Sequence, residues 1–314
     1  MLRASRSPSP LRVLDQAAAP DGPVDLATMY LVHWGFRRDL ASFAAAVPRT
    51  PVADRVTWTR LSRRFALFAD VLHKHHAGED AGLWPLLAER GADPAALAAL
   101  EAEHAVLDPL LAGCAAGLGA LAAGPAAPDA HPRLCAAVAD LQATLGAHLA
   151  HEERVGMVLV QQHLQQSDWD RVDRDHLATQ YRPRDVPAAL GWVMAGLPTG
   201  AERHLALPHP AVLAAGRVLG RLRRRSDART FGAGLGTSRG AAPPPGGCRP
   251  KGGRGAAQAV PRASATRWCT AASAARLCRS SVRARARRAQ PLAGASSTRR
   301  VSDVSARVSW ADPK

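Results

Sequence analysis

Between Val24 and Gln166, apolar residues recur at intervals of three and four, the period of an amphipathic helix. A first stripe runs through Leu26, Met29, Tyr30, His33, Phe36, Leu40, Phe43 and Val47, and Pro48 and Pro51 end it. A second steps through Trp58, Leu61, Phe65, Phe68, Leu72, His75, Glu79, Leu83 and Leu86, and Gly91 closes it. Asp93-Pro94 opens the third, with Pro94 at the first helical position. This stripe reads Leu97, Leu100, His104, Leu107, Leu111, Cys114, Leu118 and Leu121. After a break at Gly124, Pro125 and Pro128 the fourth reads Leu134, Val138, Leu141, Leu145, His148, Glu152, Val155 and Leu159. Four such helices joined by short loops predict an all-α fold, an up-down-up-down four-helix bundle over residues 24–166.

Shorter helices follow, and predict an extension over residues 167–225. They are expected at Ser167–Gln180 with Ser167 as N-cap, at Pro187–Leu197 and at Pro210–Arg225, with Trp169 and Trp192 docking on the bundle. Residues 1–23 are rich in Ser, Pro and Arg and read as a disordered segment without the apolar core of a signal peptide. No uninterrupted run of 18 apolar residues occurs, so the expectation is a soluble, cytoplasmic protein with no membrane partner.

Composition agrees with helices. Aromatics are 4% of the 314 residues, so the core has to be built from Leu, Val and Ala rather than from the aromatic and β-branched residues of a β-sandwich. Net charge changes the picture only once it is divided. The chain carries +15, but residues 1–225 hold 24 basic and 23 acidic side chains, whereas residues 226–314 hold 17 and three. The positive charge is a property of residues 226–314, a Gly, Pro, Ala and Arg-rich stretch without helical or strand periodicity that reads as a disordered basic tail. Three readings of it stand side by side. It is a dispensable extension, the product of a shifted reading frame in GC-rich DNA, or an arm that meets nucleic acid or membrane through Arg283, Arg285, Arg287 and Arg288. Nothing beyond charge supports nucleic-acid binding, which is the least favoured function. The five cysteines form no Cys-x-x-Cys pair, which excludes a zinc ribbon or a thioredoxin-type site.

The chemistry lies in what interrupts the stripes. His33, His75, Glu79, His104, His148 and Glu152 stand at core positions with apolar residues on both sides. A lone core histidine is usually a hydrogen-bonded structural residue, but four imidazoles and two carboxylates buried without partners would cost several kcal/mol each. His75/Glu79 and His148/Glu152 are both His-x-x-x-Glu, which puts the two side chains on one face, one turn apart. The order is also repeated. A lone histidine precedes His-x-x-x-Glu twice, 42 and 44 residues apart, which points to one site at the bundle centre able to hold two metals. The mixed imidazole and carboxylate set suits iron or manganese better than structural zinc.

His33, the segment His73-Lys74-His75-His76-Ala77-Gly78-Glu79-Asp80, Glu101-Ala102-Glu103-His104 and His148-Leu149-Ala150-His151-Glu152-Glu153 together resemble a hemerythrin-like, HHE cation-binding domain. The resemblance covers about residues 24–165 and rests on the order of ligands over four helices, since one His-x-x-x-Glu alone is weak. It implies a non-haem di-iron centre in which His33, His75, His104 and His148 are terminal ligands and Glu79 and Glu152 bridge. Manganese is the other metal the set accommodates. The chain departs from oxygen-carrying hemerythrins at Asp108, where a second histidine stands in the third helix, and in the fourth helix. There Glu152 lies four residues after His148 and Glu153 five, where those proteins have an aspartate five after. These departures disfavour reversible oxygen carriage. They suit a protein that binds or senses O2, peroxide or nitric oxide, or that handles iron. The alternative is a catalase- or peroxidase-type enzyme, for which the chain offers no rubredoxin-like cysteines as a built-in electron donor. Of the neighbours, His76 is either a further ligand or a hydrogen-bonding group at the site's edge, and Asp108 either a ligand or an acceptor behind one. Glu103 and Glu153 are expected on the flank or surface, His73 and His151 in solvent, and Tyr30, Trp58 and Trp84 in the core.

Overall fold

The computed structural model describes residues 16–198, 200–205 and 209–232. All regular structure among them is helical. Four long rods form the bundle. The first is α1, Ala27–Ala46. The second is α2, Arg55–Gly78, which runs through a single wide turn, Glu79–Leu83, into α3, Trp84–Glu89. The third is α4, Pro94–Ala123. The fourth is α5, Ala130–His151, which runs through a second wide turn, Glu152–Gly156, into α6, Met157–His163. Local chemistry sets the ends. Asp54 caps α2 by accepting from Thr57 N at 3.0 Å, and Asp93 caps α4 by accepting from Ala95 N at 3.0 Å. Gly91 takes the left-handed φ of +81° that the tight turn between α3 and α4 demands.

α1 packs on α2 and α5, α2 on α4, and α4 on α5, which closes the up-down-up-down ring. The eight residues predicted for the third stripe, Leu97 to Leu121, are the eight that α4 buries. One core fills the end of the bundle away from the wide turns, around Phe43, Phe65, Phe68, Leu118 and Leu141. A second, around Tyr30, Leu83, Leu100, Met157 and Val160, fills the other end. The histidines of the four stripes lie between them. α4 has the length and apolar composition of a membrane-crossing helix; here it gives its leucine stripe and His104 to the bundle.

The extension differs from expectation in its boundaries. α7 is Gln166–Val172 and its N-cap is Gln165, in a reciprocal capping box with Asp168, rather than Ser167. It continues through a wide turn, Asp173–Leu177, and a short 3-10 turn, Ala178–Gln180. α8 is Val186–Met194. α9, Pro210–Phe231, runs past residue 225, so the boundary expected there falls inside a helix. Its last residue explains the extra turn: Phe231 is buried edge-on against Phe43, with ring centroids 5.1 Å apart. Trp169 and Trp192 are both buried, and the Trp192 indole donates to Asp39 Oδ2 at 2.7 Å.

The N-terminal reading also needs correction. Residues 16–23, expected to be disordered with the rest of 1–23, lie against the bundle and are hydrogen-bonded to it. The expectations for residues 1–15 and for the basic tail from residue 233 fall outside the described residues.

Candidate metal centre

Both wide turns within the four rods begin at the glutamate of a His-x-x-x-Glu. Trp84 N donates to Glu79 O and Met157 N to Glu152 O, each a five-residue step instead of four, the signature of a π-turn. One extra residue in a turn rotates everything after it. Leu86 and Val155 were expected inside, but both are only partly buried, and Leu87 and Gly156 take their places. The fourth stripe then continues through Met157 and Val160 rather than Leu159. Each turn carries two consecutive acidic residues: Glu152 and Glu153 are both buried, whereas Glu79 is buried and Asp80 is exposed.

The result is two buried groups of potential ligands that share an edge. In one, His33, His75, Glu79 and Glu152 bring ligand atoms within 4.8 Å of one another; in the other, His76, His104 and His148 do the same. His33 Nε2 lies 3.3 Å from His75 Nε2 and 3.4 Å from Glu152 Oε2. Glu79 reaches both groups, with Oε1 3.2 Å from His75 Nε2 and Oε2 3.8 Å from His104 Nε2. Glu152 Oε2 also reaches both, since it is 3.6 Å from His148 Nε2. His76 stacks on His104 with centroids 3.9 Å apart. It therefore sits among the candidate ligands rather than at the edge.

Buried polar atoms test whether this is a cation site. Glu79 Oε1 and Oε2, Glu152 Oε1 and Oε2, and Nε2 of His76, His104 and His148 are buried without a hydrogen-bond partner. Leaving such an atom unpaired costs about 1–3 kcal/mol, so seven of them cost on the order of 10 kcal/mol, comparable to the whole stability of a domain. All seven offer lone pairs to one region once Glu79 and the imidazoles are deprotonated, the donor set a pair of cations takes up. Electrostatics agree that the cluster is poorly satisfied by protons alone. Burial and the neighbouring His33 push His75 down to about 3, and burial and His104 push His76 well below the usual range. Burial and Glu152 push Glu79 well up, whereas His33, despite its burial, is raised to about 9 by Glu152 and Glu153.

Outer partners orient the rings. His33 Nδ1 donates to Glu153 Oε1 at 3.0 Å, His104 Nδ1 to Asp80 Oδ1 at 2.8 Å, and His148 Nδ1 to Glu103 Oε2 at 2.9 Å. A carboxylate on Nδ1 leaves the Nε2 lone pair for a metal. Glu153 was expected on the flank; it is buried and carries His33. Glu103 is on the flank as expected but joins His148 to His151, so His151 is only partly solvated. Asp108 is exposed and stands apart from both groups, and the acceptor behind His104 is Asp80. Sequence reasoning passed over Asp80 and placed Glu153 on the flank, although the signal was present as an acid directly after each His-x-x-x-Glu.

A helical bundle with a doubled, fully buried histidine and carboxylate cluster at its centre defines the class: a cation-binding helical bundle. The profile of the Hemerythrin HHE cation binding domain matches residues 24–157, the stretch that holds the first three rods, the fourth as far as Met157, and every residue of the cluster. The chain therefore carries a hemerythrin HHE cation-binding domain. No curated protein and no solved structure matches the chain significantly.

Proposed function

We propose that the domain binds two iron ions, with manganese as the other metal the site accepts, and that it uses them to bind or sense a small ligand such as O2, peroxide or nitric oxide. The observation that carries the reading is the set of seven orphaned, converging donor atoms shared between two groups. In this reading His33 and His75 hold one cation, His76, His104 and His148 the other, and Glu79 and Glu152 span both. The iron pair supplies redox cycling and a coordination position for the small ligand. The group of His33 and His75 has two imidazoles against three, so it offers that position. The surrounding protein keeps bulk water out: Tyr30, Phe36, Leu83 and Leu100 are fully buried around the cluster.

Anaerobic loading with ferrous iron tests this. The expected result is about two irons per chain, a magnetically coupled pair after exposure to O2, and loss of stoichiometric iron in His75→Ala. A wild-type chain that retains no stoichiometric iron or manganese sinks the reading. Rapid O2 release from added H2O2 would place the protein among catalase-type enzymes instead.

A further inference from the structure

The repeat extends beyond the ligands. In each of the two π-turns that follow a His-x-x-x-Glu the first acid faces the cation groups and the second accepts from the lone histidine of another helix: Glu79 and Asp80 serve His104, and Glu152 and Glu153 serve His33. The two halves nevertheless differ in how firmly that second acid is held. The Asp80 side chain is 39% exposed, and Glu103, behind His148, is 35% exposed. Glu153 is 0% exposed.

Glu153 is also surrounded by donors. Arg37 reaches it with both terminal nitrogens, at 2.6 and 3.0 Å. Two more come from the segment ahead of α1, Gln16 Nε2 at 3.2 Å and Ala17 N at 3.3 Å. That segment is pinned in turn by Gln161 on α6. The Gln161 amide donates to Pro20 O at 3.1 Å and Val24 O at 2.8 Å and accepts from Val24 N at 2.9 Å. Gly22 makes the approach possible, because a Cβ there would overlap the Gln161 side chain. Val24 anchors the far end in the core with Met157 and Val160.

We propose that Glu153 is a positioning residue for His33, and that Gln16–Val24 is a strap that holds Glu153. The cation at His33 and His75 is thereby retained longer than the one at His76, His104 and His148. The proposal rests on the two-cation reading above. Its physical basis is that a ligand leaves a metal by rotating away. His33 cannot rotate without breaking a buried, charge-assisted bond to a carboxylate that four other donor atoms hold still. Asp80 and Glu103 face water, which competes for them and screens them.

The test follows cation release from the full-length ferrous protein into excess chelator by stopped flow. Wild type should release two ions in a fast and a slow phase. Gln161→Ala touches no ligand and should speed the slow phase about tenfold, as should Glu153→Gln, with the fast phase unchanged. Asp80→Asn should speed only the fast phase. An unchanged slow phase in folded Gln161→Ala overturns the proposal, as does equal acceleration of both phases. If Glu153→Gln does not fold, Gly22→Leu, which pushes the strap off Gln161, takes its place with the same expectation. Two irons released in a single phase overturn this inference alone. A wild-type chain that binds no iron overturns both it and the proposed function.

Discussion

His76 and Asp108 show how the site distinguishes residues that look alike in the sequence. Each neighbours a core ligand, and each is a residue type that binds metals. His76 lies stacked on His104 with its Nε2 buried and orphaned, whereas Asp108 points into solvent. His76→Ala should therefore lower iron from about two per chain towards one, measured by elemental analysis, while Asp108→Asn should leave the content unchanged. A loss of metal in the aspartate variant would move the centre away from where the buried groups place it. The six candidate ligands of the repeated motif could be read directly, because a polar residue at an apolar position of a helical stripe is conspicuous. Glu153 could not be, because one residue past Glu152 it leaves the centre of the stripe by ~100°, and Arg37, Gln16 and Ala17 from elsewhere in the chain enclose it.

The element that shifted two of the stripes is the π-turn. Helical periodicity assumes ~3.6 residues per turn throughout, and it located all four rods and the whole α4 stripe. It failed only after Glu79 and Glu152, where each rod gains one residue and the buried face moves by one position. The extra residue is tied to the site, since each turn starts at a glutamate of the cluster. Inserting an alanine after the exposed Arg154 should exceed the one residue that the wide turn absorbs and carry Met157 and Val160 off the core face. Each buried side chain of that size contributes about 1.5–3 kcal/mol. The insertion should therefore lower the melting temperature sharply and reduce iron content together, by circular dichroism and elemental analysis. Unchanged stability would mean that the turn does not set the register.

At the scale of the molecule, a buried charge network fastens the extension to the bundle. Arg64 on α2 binds Asp39 on α1 at 2.7 Å and Asp227 on α9 at 2.8 Å, and Asp39 also receives Arg38 and the Trp192 indole of α8. Removing one partner of a buried pair costs about 3–5 kcal/mol, because the other charge is left uncompensated. Asp39→Asn should therefore be strongly destabilising at neutral pH in urea unfolding. Burial opposes ionisation of Asp39, but Arg64 and Arg38 outweigh it and hold the carboxyl below its ordinary value. A depressed carboxylate stabilises the fold above the unfolded value near ~4 and loses that contribution as pH falls through its own lowered value. The difference between wild type and Asp39→Asn should accordingly shrink below about pH 4. Cation binding acts on the same whole-molecule balance. A ligand held only by the folded chain adds about 2.7 kcal/mol at a hundred times its dissociation constant, so a chelator should lower the melting temperature of loaded protein.

The sequence by itself determined the helical class, the four rods, their loops and the six residues of the repeated motif. All of these follow from local periodicity, from capping residues and from the cost of burying charge. It also assigned the excess positive charge to residues 226–314 rather than to residues 1–225. Only the tertiary structure decided that His76 joins the cluster, that Asp80 rather than Asp108 stands behind His104, and that Gln16 and Ala17 close over Glu153. It alone carried α9 on to Phe231. Each of these depends on a contact between residues far apart in the chain, or on one inserted residue in a turn. A periodic pattern records neither, because it registers which face a side chain shares and not what lies across from it.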